Sequence, residues 1–199
     1  MLGAFVTPNI VVGAVVYFYF YQLWPHKWVA SRTIRIRSDR HFVLVYRYIQ
    51  VSTPIYACLS AVDGHPPCGL AVAWFGIWLA VASILLFMWS MVSLRGRYCH
   101  CFDAYVPDSL AERGPYRFVR HPIYVANCTG LWGMFLATAS WGVLFNCVIL
   151  AIYYWRAARR EEASLVQHLP GYTAYLHRTG KFFPRIAHPM RSWRRGETR

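Results

Sequence analysis

Between Pro122 and Trp155 the chain carries no Asp, Glu, Lys, Arg or His, and that run limits the possible folds more than any other feature of the sequence. As one helix rising about 1.5 Å per residue, its roughly 34 residues would reach about 51 Å, well past a hydrocarbon core of about 30 Å. Such a run has to turn back. The stretch "TASWG", Thr138–Gly142, offers small residues and a glycine for a reversal, and Trp141 suits a membrane interface. The expectation is a hairpin of two short spans.

Three earlier stretches have the same character. Met1 to Pro25 holds no charged residue, Phe42 to Val62 holds only Arg47, and Cys68 to Leu94 holds none. Only 15% of the chain is charged, against about 25% in ordinary soluble domains. Each stretch is long enough for a span of about 20 residues. The sequence therefore predicts an all-α integral membrane protein of about five transmembrane helices in one membrane domain. Residues 1–94 would hold three spans, 95–185 the hairpin and its cytoplasmic parts, and 186–199 a basic tail. The first stretch does not read as a cleavable signal, because its cations follow the apolar run instead of preceding it.

The cations assign the sides. In a five-span arrangement all 21 Lys and Arg residues fall in the segments 25–41, 95–121 and 156–199, or at Arg47 in the adjoining end of the second span. By the positive-inside rule those segments are cytoplasmic, which puts the N-terminus outside and the C-terminus inside. The net charge of +13 then reflects attraction to anionic lipid heads, and no nucleic-acid motif accompanies it. Cys58, Cys128 and Cys147 read as small apolar fillers within spans. The "CHC" at Cys99–Cys101 lacks a second ligating pair, so no metal site is expected.

Just before the charge-free run stands "ERGPYRFVRHPIY", which brings Arg117, Arg120 and His121 to the membrane surface. Gly114-Pro115 reads as a turn, and Pro122 suits the first turn of a helix with His121 near its N-cap. Arg117, Arg120 and the helix N-terminus would together attract an anion. The hairpin returns the chain to the same side at "YYWRAARREEASLVQHL". Spacing by four sets Ala157, Glu161, Leu165 and Leu169 on one stripe, and Glu162 on the next with Ala158 and Val166. Glu161 is expected on the apolar face, where a carboxylate needs a cation or donor to meet it. A site with an anion-binding wall and a cation-binding wall suits a zwitterion.

The ordered set "GPYRFVRHPIY", a two-span hairpin, "REEASL" and "YTAYLHRTGKFFP" resembles the isoprenylcysteine carboxyl methyltransferase and phospholipid methyltransferase superfamily over about Leu110–Pro184. The resemblance implies a cytoplasmic pocket for S-adenosyl-L-methionine. Tyr116, His121, Pro122, Ile123, Tyr124 and Glu161 match its cofactor contacts, as does the loop Asp108–Ala111 with Leu110; Arg120 and Glu162, beside them, are expected to bind the cofactor as well. In the isoprenylcysteine branch a substrate-binding Arg stands where this chain has Ala157, and Arg156 and Arg160 alongside are the residues expected to bind the substrate here. "LPGY", Leu169–Tyr172, replaces a more usual Phe-Gly dipeptide. Tyr172 and Tyr175 are expected to pack rather than react.

The expected activity is methyl transfer to a lipophilic, membrane-borne acceptor, such as the carboxylate of an isoprenylcysteine-like group or a phospholipid amine. Methyl displacement needs alignment and a dry acceptor more than an elaborate apparatus. An amine acceptor would also lose a proton, for which His121 and Tyr124 are the nearest groups. Two other classes fit the pattern of spans: an NADPH-dependent sterol-type reductase, and a non-catalytic membrane interaction module.

Overall fold

The computed structural model describes residues 40–62, 69–94 and 109–185, together with Gly13, Ile34–Arg35 and Tyr105–Val106. The expected first span, the "CHC" cluster, the outer loop at 63–68, Asp108 and the basic tail lie outside the described residues. Within them are five α-helices: α1 (Arg40–Val62), α2 (Leu70–Leu94), α3 (Pro122–Thr138), α4 (Trp141–His168) and α5 (Tyr172–Arg178). A single 3-10 turn, Gly114–Arg117, precedes α3. One short antiparallel pairing, Ile34 with Val106 and Arg35 with Tyr105, departs from a purely helical chain.

Two of these helices, α2 and α4, are long and apolar enough to cross a membrane. α2 presents two different faces. Trp74, Phe75, Trp78, Leu85, Trp89 and Val92 are exposed, whereas Ala73, Gly76, Ser83, Phe87, Ser90 and Met91 are buried. A face of large apolar groups left open is what a lipid-facing helix shows. The small face packs on α3 through a reciprocal contact. A Cβ on Gly76 would stand 2.6 Å from the Gly133 carbonyl oxygen, and a Cβ on Gly133 2.6 Å from that of Gly76. Gly76/Ala80 and Gly133/Ala137 are both pairs of small residues four apart, the spacing that lets membrane helices approach backbone to backbone.

The reversal falls where expected, between Thr138 and Trp141, but not by the expected means. Ala139 takes the left-handed conformation (φ 52°). Gly142 lies inside α4, where a Cβ would strike the Tyr56 ring at 2.4 Å, so its small size serves packing against α1. Ser140 Oγ donates to the Tyr56 carbonyl at 3.1 Å and ties the reversal to α1. A second tie lies deeper. Pro54 lies inside α1 and cannot donate a backbone N–H. Beside it, Asn146 of α4 donates to Ser52 Oγ at 2.8 Å and Thr53 Oγ1 at 2.9 Å. α1 to α4 share one apolar core, and a separate cluster of Leu165, Leu169, Tyr172 and Tyr175 forms where α4 outruns its charge-free part and meets α5.

Candidate functional site

The site is built where the lead-in to α3 is clamped between the end of α2 and the chain after α5. Gly114 has φ +57°, and a Cβ there would stand 2.1 Å from Ser93 Oγ, so a side chain would lift the lead-in off α2. Pro115 and Tyr116 are buried, and the Tyr175 hydroxyl donates to the Tyr116 carbonyl at 2.6 Å. Residues 118–121 then run beside 179–181. Arg120 N–H donates to the Gly180 carbonyl at 2.8 Å, and His121 N–H to that of Lys181 at 3.2 Å. This pairing sets Lys181 and Phe182 against His121.

α3 begins at Pro122 with no side-chain cap and brings His121 and Tyr124 to one face. α4 supplies the carboxylates. Arg120 Nε donates to Glu162 Oε1 at 2.8 Å, His121 Nε2 lies 3.1 Å from that oxygen, and Lys181 Nζ is 2.8 Å from Oε2. The Tyr124 hydroxyl donates to Glu161 Oε2 at 3.0 Å, and His121 Nδ1 is 3.6 Å from it. Three rings stack in a row. Tyr124 lies on His121 at 5.1 Å and on Tyr154 at 4.2 Å, both nearly parallel. Phe182 closes the outer side between His121 and Trp155, with Lys181 Nζ 5.1 Å from the Trp155 ring centre.

The two carboxylates have different duties, and here the stripe expectation is corrected. Glu162 is the enclosed one, its side chain 12% exposed against 41% for Glu161. Steps of four along a helix of 3.6 residues per turn drift by about 40° each, so the row 157–161–165 does not stay on one face. The enclosed line takes steps of four, four, three and four, through Tyr154, Ala158, Glu162, Leu165 and Leu169, the step of three cancelling part of the drift. Beyond Trp155 α4 has left its charge-free part, so this end projects past the span. Burial opposes ionisation of Glu162, but hydrogen bonds from His121, Lys181 and Arg120 outweigh it and hold its carboxyl at about 2.

Arg120 departs from the anion-binding expectation as well. Besides Glu162 it donates through Nη1 to the carbonyls of Leu176, at 3.2 Å, and Thr179, so its guanidinium binds elements together. Among the other anticipated residues, Pro122 and Ile123 are buried in the first turn of α3, and Tyr116 is buried behind it. Leu110 packs on the cluster around Tyr172 and Tyr175, which are both buried as expected. Arg117, Arg156 and Arg160 are exposed, and Ala157 packs against the core. The sequence reading missed Lys181, Phe182, Asn127 and Tyr154. Lys181 and Phe182 stand inside the quoted "TGKFFP", and Tyr154 precedes Glu161 by two helical turns; those were the available signals.

Helices with open apolar faces, two of them long and apolar enough to span a bilayer, and a charged cluster at the open end of a hairpin define a helical protein of membrane type. The chain belongs to the phospholipid methyltransferase family, whose model matches residues 71–170. It is similar to the cobalt-zinc-cadmium resistance protein CzcN of Cupriavidus metallidurans, with 28% identity over 79% of this chain and 70% of that protein. It is also similar to the nickel-cobalt-cadmium resistance protein NccN of Alcaligenes xylosoxydans xylosoxydans, with 27% identity over 74% of this chain and 67% of that protein.

Proposed function

We propose that this protein transfers a methyl group from S-adenosylmethionine to a lipophilic acceptor at the cytoplasmic face of a membrane. The observation that carries the reading is the division of labour between Glu161 and Glu162. Glu162 is saturated by Arg120, His121 and Lys181, whereas Glu161 is held by Tyr124, near His121, and remains half open. A half-open carboxylate fits the cofactor's ammonium, and the uncapped start of α3 with Arg117 nearby fits its carboxylate. The residues therefore suit the cofactor, which would supply a methyl group carried on a sulfonium. Glu161, Tyr124, His121 and the first turn of α3 would hold it.

The chain's own part is to orient, to exclude water and to take a proton. Phe182 and Trp155 shield the outer side of His121. For an amine acceptor, His121 receives the proton, or Tyr124 takes it while passing its own hydroxyl proton to Glu161, each oriented by a carboxylate at hydrogen-bond distance. The phospholipid acceptor is favoured over an isoprenylcysteine-like carboxylate by the family match and by Ala157, where the latter branch has its substrate Arg. Arg156 and Arg160, exposed beside Ala157, are the groups proposed to meet an acidic part of the acceptor.

The proposed topology is five spans, with the N-terminus outside and the C-terminus cytoplasmic, on the strength of the one-sided Lys and Arg distribution. Titration of the protein in nanodiscs with S-adenosylhomocysteine, and in parallel with NADPH, tests the function. Saturable binding of the first supports methyl transfer. Binding of NADPH alone would transfer the assignment to a reductase, and binding of neither by a folded sample would leave a non-catalytic module. Metals named for the relatives belong to those proteins, and a cadmium titration of the same sample asks whether any such ion binds here.

A further inference from the structure

Asn127 lies on α3 three residues past Tyr124, so it is one turn deeper on nearly the same face. It is 8% exposed, its Nδ2 donates to the Tyr154 hydroxyl, and its Oδ1 has no hydrogen-bond partner. Tyr154 is 1% exposed and lies flat on Tyr124 at 4.2 Å, 3° from parallel. Tyr124 in turn holds Glu161. A polar side chain is thus kept in an apolar core with one atom unpaired, an arrangement that an apolar residue of similar shape would match or better in stability.

We propose that Asn127 is a positioning residue: by holding the hydroxyl end of Tyr154 it fixes where the ring lies on which Tyr124 rests, and so aims the Tyr124 hydroxyl at Glu161. Without the tether the hydroxyl end of Tyr154 shifts while its ring stays packed edge-on against Phe42, its parallel contact with Tyr124 is loosened, and Glu161 is released toward water. The consequence for cofactor binding rests on the function proposed above; the release of Glu161 does not.

The test uses the full chain in nanodiscs and the variants Asn127→Leu, Tyr154→Phe, their double, Tyr124→Phe, and Tyr124→Phe with Asn127→Leu. Labelling of Glu161 by a water-soluble carbodiimide, read by mass spectrometry without ligand, should rise in every variant. S-adenosylhomocysteine affinity should fall roughly three- to ten-fold in each single variant, the worth of one hydrogen bond. The double variant should be no worse than either single one, and Asn127→Leu should add nothing once Tyr124 is Phe. The double variant should also melt at or above the wild-type temperature, because it removes the pair and the unpaired oxygen together. A purely structural pair would behave oppositely: a lower melting temperature in the double variant with Glu161 labelling unchanged overturns the proposal, as does full additivity with Tyr124→Phe. Should the wild type bind no S-adenosylhomocysteine while the labelling pattern holds, the positioning stands and the methyltransferase reading falls. Tyr154→Phe, which keeps the ring, provides the decision if Asn127→Leu does not fold.

Discussion

Arg120 Nε and Glu162 Oε1 meet at 2.8 Å across 42 positions of sequence, locking the lead-in of α3 to the far end of α4. Both side chains are nearly enclosed, so neither charge can fall back on water. Removing one partner of such a pair strands the other. Glu162→Gln should therefore destabilise the protein by about 3 kcal/mol, seen as a lower unfolding temperature in nanodiscs. An unchanged unfolding temperature would show that Lys181 and Arg120 are satisfied elsewhere.

Acid should reveal the same lock. The Glu162 carboxyl is held at about 2 against an ordinary 4.5. With its folded value depressed, Glu162 contributes stability that is complete above about 4.5 and is lost as pH falls toward 2. Unfolding temperature measured across that window should fall more steeply for the wild type than for Glu162→Gln. Parallel curves would assign the acid sensitivity to other groups.

Glu161→Gln should act differently. Its side chain is 41% exposed, so the pair it forms with a bound ammonium is partly screened. The expected loss is about 1 to 2 kcal/mol in cofactor affinity, roughly ten-fold, with the unfolding temperature nearly unchanged. Calorimetry with S-adenosylhomocysteine separates the two glutamates: equal losses of affinity and equal stability in both variants would dissolve the distinction.

The contact of Gly76 with Gly133 leaves no room for a methyl group on either side. Because the groups in the way are backbone, they cannot swing aside, and Gly133→Ala should cost about 1 to 3 kcal/mol. Gly171, where no atom lies within 4 Å of an added Cβ, has φ +83° and so serves as a backbone-strain control, not a packing one. Thermal unfolding in detergent checks the pair, and a neutral Gly133→Ala would mean that α2 and α3 separate more readily than their packing implies.

Topology is open to direct labelling. Trp141 is 77% exposed at one end of α4, and Arg178 is exposed in α5 beyond the other. A membrane-impermeant thiol reagent should reach Trp141→Cys from outside intact cells and Arg178→Cys only after lysis, in a background free of other cysteines. Labelling of both from the same side would reject the proposed orientation.

Much of the architecture was legible in one dimension, because lipid admits only long stretches without charge and the chain can reverse only between them. The length of the Pro122–Trp155 run required a turn, and small residues at Thr138–Gly142 located it. His121, Tyr124 and the two glutamates were identifiable from order and spacing. Which glutamate is enclosed was not, since that depends on how α4 is rotated about its axis, and the rotation is set by packing against α1 and α3 rather than by a row of fours. Arg120 offered no sign in sequence that its guanidinium would be spent on Glu162 and on carbonyls of Leu176 and Thr179, because those partners arrive only when the chain after α5 folds back. The pairing of Asn127 with Tyr154 and the meeting of Gly76 with Gly133 have the same origin. Spacing determines which residues share a helix face, but which faces meet is decided when side chains of different helices compete for the same volume.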